Sequence, residues 1–384
     1  MDGHTHLTRQ RNLLQRARLA SLPAIRRPPA FYPIGTLNAG NYTQVAALSG
    51  DGLVVVGLAA EGEDFYQPRA FRWSWASGFE SLGALNGGAY SSAEALSSDG
   101  QVIVGTAEDG ACGGSDRAFR WTREDGMRSL GVLNHGLYSQ AYAVSGDARV
   151  IVGDAADGAA DNLTRAFRWT AADGLRSLGT LNDGRSSHAS AVSADGRVIV
   201  GYAGNGANGE VRRAFRWSAE EGMCDLGTLN GGAFSKATAV SHDGGVIVGV
   251  AGDGAAGGEP RAFIWTRQGG MRSLHAPGSG SSRASAISAD GRTVVGVARR
   301  PGDDQPEQAV CWQLSSGQQR LDDWLPIPLA MRGGQSFAQA VGVSADGSAL
   351  IGQLADEQAF YVQFELADTL ALGQVVPPVQ RLSA

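Results

Sequence analysis

The chain has 384 residues, of which 43% are hydrophobic and 18% charged, so it can bury a large core and is not a disordered segment. Its formal net charge of −6 disfavours general binding to nucleic acid, and its three cysteines are too few for a disulfide framework. No apolar run approaches the roughly 18 residues that a transmembrane helix needs, which excludes a membrane-spanning helix.

The N-terminal segment differs in composition from the rest of the chain. Residues 1–30 contain six arginines and one aspartate, and no continuous apolar core of the kind found in secretory signals follows these charges. We therefore interpret residues 1–30 as a flexible, arginine-rich tail. Residues 31–364 are predicted to form one folded domain, and residues 365–384 are predicted to form a C-terminal tail.

A sequence repeat dominates the folded region. An apolar run that ends in glycine recurs at steps of 48, 48, 48, 48, 47 and 56 residues, at Gly57, Gly105, Gly153, Gly201, Gly249, Gly296 and Gly352. Ser-x-Asp-Gly or a near variant precedes each run. Arg-Ala-Phe-x-Trp follows it in the first five units, and the corresponding segments of the last two units are Gln308–Trp312 and Gln358–Val362.

The predicted strands can be followed along the chain. Phe31–Leu37 comes first and has the pattern of the fourth strand of later units. Each unit then contains short strands separated by turn residues, with no helical period; in the second unit they are Ser91–Ser97, Val102–Gly105, Arg117–Thr122 and Met127–Leu133. The seventh unit has three strands and then loses the pattern; these are Ala338–Ser344, Ala349–Leu354 and Gln358–Phe364.

This arrangement predicts an all-β fold, a seven-bladed β-propeller of four-stranded antiparallel blades. An open stack of such sheets would expose unpaired strand edges at both ends. Since the seventh unit lacks a fourth strand, we expect Phe31–Leu37 to complete the last blade and close the ring. Pro33 agrees with this position, because proline is tolerated in an edge strand.

The repeat also predicts how the blades pack. Alanines such as Ala141 and Ala143 recur in the first strand of each unit, where the blades converge on the axis and bulky side chains would separate them. The Phe and Trp side chains of the third strand are expected to occupy the wider outer gap. On this basis Trp169→Ala should cost roughly 3–5 kcal/mol.

The units resemble the HAF repeats of bacterial extracellular repeat proteins. The resemblance rests on Arg-Ala-Phe-x-Trp, Gly-Met-x-x-Leu-Gly-Thr-Leu-Asn-Gly-Gly and Ser-x-Asp-Gly-x-Val-Ile-Val-Gly, and it spans Phe31 to Phe364. It implies a propeller-type fold and a location outside the cell or in the cell envelope. A cytoplasmic location is the alternative, because no signal peptide is recognisable. The histidine of the family motif is arginine here, at Arg69, Arg117, Arg165, Arg213 and Arg261.

Three loop motifs invite a functional interpretation, and the sequence favours a structural one for each. Ser-x-Asp-Gly lacks the glycine spacing and the aromatic residue of a sialidase Asp-box, and it suits a tight turn. The Gly-x-Gly-x-x-Gly stretches Gly204–Gly209 and Gly252–Gly257 precede a strand, whereas a dinucleotide site needs a helix there. Acidic residues in these loops could hold Ca²⁺, but their irregular spacing favours solvated turns. No cofactor or metal is therefore expected.

Scaffold residues repeat, so a functional site should lie where the units differ. One position of the first strand varies sharply between units, and we expect it to approach the mouth of the central channel. Units four to six have His188, Lys236 and Arg283 there, and Lys236 is the only lysine in the chain. Glu94 and Tyr142 lie two positions further along in units two and three. The candidate ligand-binding residues are Gln44, Ser92, Glu94, Gln140, His188, Lys236, Arg283 and Gln339.

A polar mouth with a basic sector predicts a non-catalytic binding module for a carbohydrate or protein ligand, with an acidic glycan or another anion as first candidate. Two alternatives stay open. A polysaccharide hydrolase or lyase could use the channel, although catalytic motifs are absent from the sequence and only Glu94 offers a carboxylate on the inner strands. A purely structural passenger of a surface protein would need no site. We expect a monomer without a nucleic-acid partner.

Overall fold

Seven antiparallel sheets of four strands each make up the part of the chain that the structure describes. The computed structural model describes residues 29–62, 64–274, 280–299, 306–314 and 317–364. The tail predicted at residues 365–384, and nearly all of that predicted at residues 1–30, lie outside these ranges. The innermost strands of neighbouring sheets contact each other in a closed ring, which confirms the predicted seven-bladed β-propeller.

The first strand, β1 (Ala30–Pro33), belongs to the last blade, and the next 24 strands form six blades in chain order. Blade 1 comprises β2 (Thr43–Leu48), β3 (Val54–Glu61), β4 (Asp64–Ser74) and β5 (Gly78–Ser81). Blade 2 comprises β6 (Ser91–Leu96), β7 (Ile103–Asp109), β8 (Ser115–Thr122) and β9 (Gly126–Ser129). Blade 3 comprises β10 (Ser139–Val144), β11 (Ile151–Asp157), β12 (Leu163–Thr170) and β13 (Gly174–Ser177).

The remaining blades follow the same order from the axis outwards. Blade 4 comprises β14 (Ser187–Val192), β15 (Ile199–Asn205), β16 (Val211–Ser218) and β17 (Gly222–Asp225). Blade 5 comprises β18 (Ser235–Val240), β19 (Val246–Asp253), β20 (Glu259–Thr266) and β21 (Gly270–Ser273). Blade 6 comprises β22 (Ser282–Ile287), β23 (Thr293–Ala298), β24 (Gln308–Gln313) and β25 (Gly317–Arg320). Blade 7 comprises β26 (Phe337–Val343), β27 (Ala349–Leu354), β28 (Ala359–Gln363) and β1.

The two ends of the folded region meet in blade 7, as predicted. Strand β1 pairs antiparallel with β28, and Tyr32 lies opposite Tyr361 in the register. The closing strand is shorter than the predicted Phe31–Leu37, because it ends at Pro33. The backbone N–H of Ile34 still donates to the carbonyl oxygen of Ala359 at 2.9 Å, and the side chains of Ile34 and Leu37 are buried between blades 7 and 1, where they contribute to inter-blade packing.

Helical segments are short in the described ranges, and most of them connect the second and third strands of a blade. The α-helix α1 (Leu321–Trp324) follows β25, and the 3-10 turns are Gly110–Cys112, Gly158–Ala160, Gly206–Asn208, Gly254–Ala256 and Leu329–Arg332. No helix within these ranges has the length and apolarity needed to span a membrane. The first four 3-10 turns are each capped by the side chain of the residue that precedes them, namely Asp109, Asp157, Asn205 and Asp253, so these loop side chains have a structural role.

The recurring glycine of each apolar run is required by the close approach of the two innermost strands. A β-carbon at Gly153 would lie 1.9 Å from the carbonyl oxygen of Gln140, far inside van der Waals contact. On the inner strand, Ala141 is fully buried in the cluster between blades 2 and 3. The predicted packing of small residues near the axis is confirmed.

The two aromatic positions of Arg-Ala-Phe-x-Trp differ in burial. Phe167 is fully buried between blades 2 and 3, whereas Trp169 is only half-buried at the end of β12. Trp169 nevertheless packs against the cluster that contains Phe167, as expected for a residue in the gap between blades, but it is less buried than the phenylalanine.

Hydrogen bonds between blades explain why other motif residues recur. Ser139 Oγ accepts from the backbone N–H of Ala118 at 3.0 Å and donates to the carbonyl oxygen of Gly131 at 2.6 Å, which joins blades 2 and 3. Arg117 Nη1 donates to the carbonyl oxygen of Leu137 at 2.9 Å. Corresponding contacts recur around the ring, so the motif arginine is part of the scaffold.

The Ser-x-Asp-Gly segment forms a tight turn, as the sequence predicts. Ser193 Oγ donates to Asp195 Oδ1 at 2.6 Å, and the backbone N–H of Arg197 donates to the same oxygen at 3.0 Å. Gly196 has a φ of 72°, in the left-handed region that favours glycine. The aspartate of this motif is thus a turn-capping residue.

Candidate functional site

The blades have two faces, which are defined by where the chain turns. The upper face carries the loops between second and third strands, such as Gly158–Ala160, and the connections between blades. The lower face carries the Ser-x-Asp-Gly hairpins, such as residues 145–150, and the hairpins between third and fourth strands. The central channel runs between these faces and is surrounded by β2, β6, β10, β14, β18, β22 and β26.

The variable positions of the inner strands lie at equivalent places near the upper end of the channel. Each pairs in register with a residue on the second strand of its blade, as Gln140 does with Asp154 and His188 with Tyr202. The structure therefore brings the predicted residues into one ring. Their exposure differs: Gln44, Arg283 and Gln339 are exposed, Glu94, Gln140, His188 and Lys236 are half-buried, and Ser92 is buried.

A side-chain contact between blades 3 and 4 forms the centre of the candidate site. His188 Nδ1 lies 2.6 Å from Asp154 Oδ2, and the Asp154 side chain is only 4% exposed. The other carboxylate oxygen, Oδ1, has no hydrogen-bond partner in the part of the chain that the structure describes. Burial of a carboxylate with a single hydrogen-bond partner lowers the stability of the fold, because its desolvation is not fully compensated. Unfavourable features of this kind tend to occur at functional sites.

Tyr202 extends this contact towards blade 5. Its ring stacks on the His188 imidazole, with centroids 4.6 Å apart and planes inclined by 18°. Lys236 Nζ lies 4.8 Å from the Tyr202 ring centroid, and Arg212 Cζ lies 5.8 Å from it. Burial, and then the charge of Arg212, lower the pKa of Lys236 below its usual value. An ammonium in this position would gain from an anionic ligand.

Hydrogen-bonding groups and carboxylates occupy the other side of the ring, in blades 2 and 3. Tyr142 donates its hydroxyl hydrogen to Gln140 Oε1 at 2.6 Å, and Gln140 Nε2 donates to Asp116 Oδ2 at 3.3 Å. Ser92 Oγ donates to Glu94 Oε1 at 2.7 Å. Burial raises the pKa of Tyr142, and nearby carboxylates raise it further, so this phenol stays protonated at neutral pH.

Two predicted residues are less available than the sequence suggests. Ser92 is buried, and its hydroxyl is bound to Glu94. Arg283 Nη2 donates to Glu307 Oε2 at 2.5 Å, so its charge is compensated within blade 6. Of the basic residues expected in blades 4 to 6, only Lys236 therefore offers a positive charge at the mouth that is uncompensated within the described part of the chain. Arg212, which is not among the predicted residues, is a further cation there.

Four residues of this site, Asp154, Tyr202, Arg212 and Asp116, are not among those predicted from the sequence as ligand-binding residues. A signal for the first two is present, because the residue after each recurring glycine varies as sharply as the inner-strand position with which it pairs. In blades 1 to 7 this residue is Leu58, Thr106, Asp154, Tyr202, Val250, Val297 and Gln353.

The donor groups near the mouth are not arranged as metal ligands. Over residues 29–364, apart from the gaps given above, no three His, Cys, Asp or Glu side chains are placed to hold a metal ion. The chemistry that the site offers is hydrogen bonding, a cation and an aromatic ring, with one imidazole held by a buried carboxylate.

Comparison with known proteins supports the fold. No family model matches the chain, and no curated protein matches it. Among solved structures, oligogalacturonate lyase from Vibrio parahaemolyticus matches with a TM-score of 0.56 at 9% identity, covering 88% of this chain and 97% of that one. An oligogalacturonate lyase in complex with manganese matches with a TM-score of 0.53 at 12% identity, covering 90% and 98%.

A third solved structure, TolB from Acinetobacter baumannii, has a TM-score of 0.47 at 12% identity. The match covers 83% of this chain and 65% of TolB, so this chain spans less than two thirds of that protein. At these identities the two lyase structures show a shared propeller architecture.

Proposed function

We propose that the protein binds an acidic carbohydrate at the upper mouth of its channel and does not transform it. The observation that carries this proposal is the continuous line of side chains Asp154, His188, Tyr202 and Lys236 across blades 3, 4 and 5. Each contact in this line joins two neighbouring residues of the site, so the ligand would meet a preorganised surface.

The charge distribution favours a sugar unit that carries one carboxylate and presents it to blades 4 and 5. Lys236 and Arg212 place positive charge on the side of blades 4 and 5, whereas Glu94 and Asp116 place negative charge on the side of blade 2. The carboxylate of a uronate unit would bind the two cations. The hydroxyl groups of the same sugar unit would donate hydrogen bonds to the carboxylates of Glu94 and Asp116 and to the side-chain oxygen of Gln140. The Tyr202 ring would add apolar contact to the ligand.

A location outside the cell or in the cell envelope is part of this proposal. It is supported by the resemblance of the seven units to HAF repeats, whose members are extracellular. Polysaccharides with repeated carboxylates are abundant ligands in such a location. Two of the similar solved structures, with TM-scores of 0.56 and 0.53, are oligogalacturonate lyases, which makes a galacturonate oligomer the natural first probe.

Isothermal titration calorimetry with a galacturonate trisaccharide tests the proposal. We expect binding by the wild-type protein and a loss of about tenfold in affinity for Lys236→Ala, because a charge-assisted contact is removed. Arg272→Ala is the matched control, since it removes one positive charge from the lower face of the same blade. Equal affinities of wild type and Lys236→Ala would refute the proposed site.

A second candidate function is cleavage of the same class of ligand, by a lyase or a hydrolase. The specific observation in its favour is the contact of His188 with the buried Asp154, since a carboxylate that fixes one imidazole nitrogen prepares the other for proton transfer. Incubation with polygalacturonate distinguishes the two functions. New reducing ends or unsaturated products that disappear in His188→Gln would establish catalysis, whereas intact polymer would favour binding alone.

A further inference from the structure

A groove on the lower face, between blades 2 and 3, is lined by four arginines. Its volume is about 810 Å³, and its lining includes Arg120, Arg128, Arg149, Arg168 and the half-buried Trp169. Two aspartates, Asp147 and Asp195, also line it, so positive side chains outnumber negative ones two to one. The groove is thus locally cationic in a chain whose net charge is −6.

Two pairs of arginines face each other across adjacent strands of blades 2 and 3, and three of these four arginines line the groove, whereas Arg176 does not. Arg120 on β8 lies opposite Arg128 on β9, and Arg168 on β12 lies opposite Arg176 on β13. Like charges in directly opposed positions destabilise a sheet. Blades 1, 4 and 5 avoid this arrangement at the equivalent positions, where the pairs are Arg72 with Glu80, Arg216 with Cys224 and Ile264 with Arg272.

The carboxylates near these arginines compensate them incompletely. Arg120 lies 3.6 Å from Asp125, and Arg168 lies 3.7 Å from Asp173, distances too long for hydrogen bonds. Both aspartates are about half exposed, so these ion pairs are weak. The exposed side chains of Arg128 and Arg176 have neither an ion pair nor a hydrogen bond within the described part of the chain. Their guanidinium donors are available to a ligand.

We infer that this lower-face groove binds an anionic polysaccharide, one that carries a carboxylate or a sulfate on its repeating units. Guanidinium groups recognise such oxyanions with two parallel hydrogen bonds. The cations recur from blade to blade, as Arg149 and Arg197 do on successive hairpins, and a receptor with repeated charges suits a polymer with repeated charges. Single-stranded nucleic acid is the less suitable polyanion, because its bases need aromatic rings on which to stack, and the described lining offers one, the half-buried Trp169.

This groove is independent of the channel mouth. The mouth lies on the upper face, whereas residues 147–150 and 168–172 lie at the hairpins of the lower face. Long polymers could therefore bind to one face while a short oligosaccharide binds to the other, and loss of one site would leave the other unaffected.

Surface plasmon resonance on immobilised dextran sulfate, with neutral dextran as the reference surface, tests the inference. We expect binding by the wild-type protein to dextran sulfate only, and an increase of about tenfold in Kd for the double variant Arg128→Ala/Arg168→Ala, which removes two arginines of the groove. The control variant Arg272→Ala/Arg292→Ala removes the same charge from blades 5 and 6 and should bind as the wild type does. Lys236→Ala should also bind unchanged, which separates this inference from the proposed function.

Three results would overturn the inference. The first is failure of the wild-type protein to bind dextran sulfate. The second is equal loss in the groove and control double variants, which would indicate a general charge effect. The third is equally tight binding of single-stranded DNA with the same dependence on Arg128 and Arg168, which would indicate a site for polyanions of any kind.

Discussion

His188 Nδ1 lies 2.6 Å from Asp154 Oδ2, so the inner strand of blade 4 is joined to the second strand of blade 3 by a buried polar contact. The two blades share no strand pairing in the described part of the chain, although the backbone N–H of Asp147 donates to the carbonyl oxygen of Ala194 at 3.4 Å on the lower face. The contact with Asp154 fixes the orientation of the imidazole ring. Because Asp154 has no other hydrogen-bond partner among the described residues, the stability of blade 3 depends on His188.

Replacement of this histidine should therefore destabilise the fold. We expect His188→Ala to lower the free energy of unfolding by about 3 kcal/mol, because a buried carboxylate loses its partner. The double variant His188→Ala/Asp154→Ala should recover a large part of this loss. Urea denaturation measures both, and Gln44→Ala, at the equivalent exposed position of blade 1, should change stability by less than about 0.5 kcal/mol. A double variant no more stable than His188→Ala would contradict this account.

Binding of an acidic ligand at the mouth should weaken at alkaline pH. Burial lowers the pKa of Lys236, so its ammonium loses its proton at a lower pH than an ordinary lysine does. The attraction to a carboxylate is therefore present below this lowered pKa and is lost as the pH rises through it. Calorimetric titrations from pH 7 upwards should show this decline in the wild type and not in Lys236→Arg. The same decline in both proteins would assign it to another group.

The two aromatic residues of the blade 3 motif should respond differently to truncation. Phe167→Ala removes a fully buried side chain and should cost about 3–5 kcal/mol. Trp169 is half-buried, so Trp169→Ala should cost clearly less, although tryptophan is the larger residue. Thermal or urea unfolding of the two variants gives the order directly. A greater loss for Trp169→Ala would show that the outer gap between blades is better packed than the structure indicates.

Ser139, the serine that joins blades 2 and 3, should contribute more to the free energy of unfolding than its small side chain suggests. Ser139→Ala would leave the buried backbone N–H of Ala118 without an acceptor, which costs about 1–3 kcal/mol. Ser190→Ala serves as the control, because this half-buried serine of blade 4 makes no side-chain hydrogen bond to another described residue. Chemical denaturation should separate the two variants. If both unfold at the same denaturant concentration, the serine bridge contributes nothing to cohesion between blades.

Much of the fold could be predicted because each unit repeats the same local signals. The glycine that permits close approach of the inner strands and the turn at each Ser-x-Asp-Gly recur with a fixed step, and the missing fourth strand of the last unit indicates ring closure. The end of the closing strand could not be predicted, because Ile34 and Leu37 are apolar in either environment. The exposed fraction of the Trp169 side chain could not be predicted either, because the motif does not specify how deeply its last residue is buried.

The site could be predicted only in part. Variation among the units identifies the inner-strand ring, including His188 and Lys236. The same kind of variation at the residue after each recurring glycine marks Asp154 and Tyr202, and Tyr202 pairs with His188 inside blade 4. The contact of His188 with Asp154 joins two blades, and such a contact depends on geometry that no single unit encodes. The pairing of Arg283 with Glu307 has the same origin, because Glu307 lies in a segment of blade 6 that departs from the repeat.

A crystal structure of the protein soaked with a galacturonate trisaccharide tests the central claim most directly. Sugar density over the upper mouth, with a carboxylate beside Lys236 and a ring against Tyr202, is the predicted result. Density only at another surface, with an empty mouth at a saturating ligand concentration, would contradict the account.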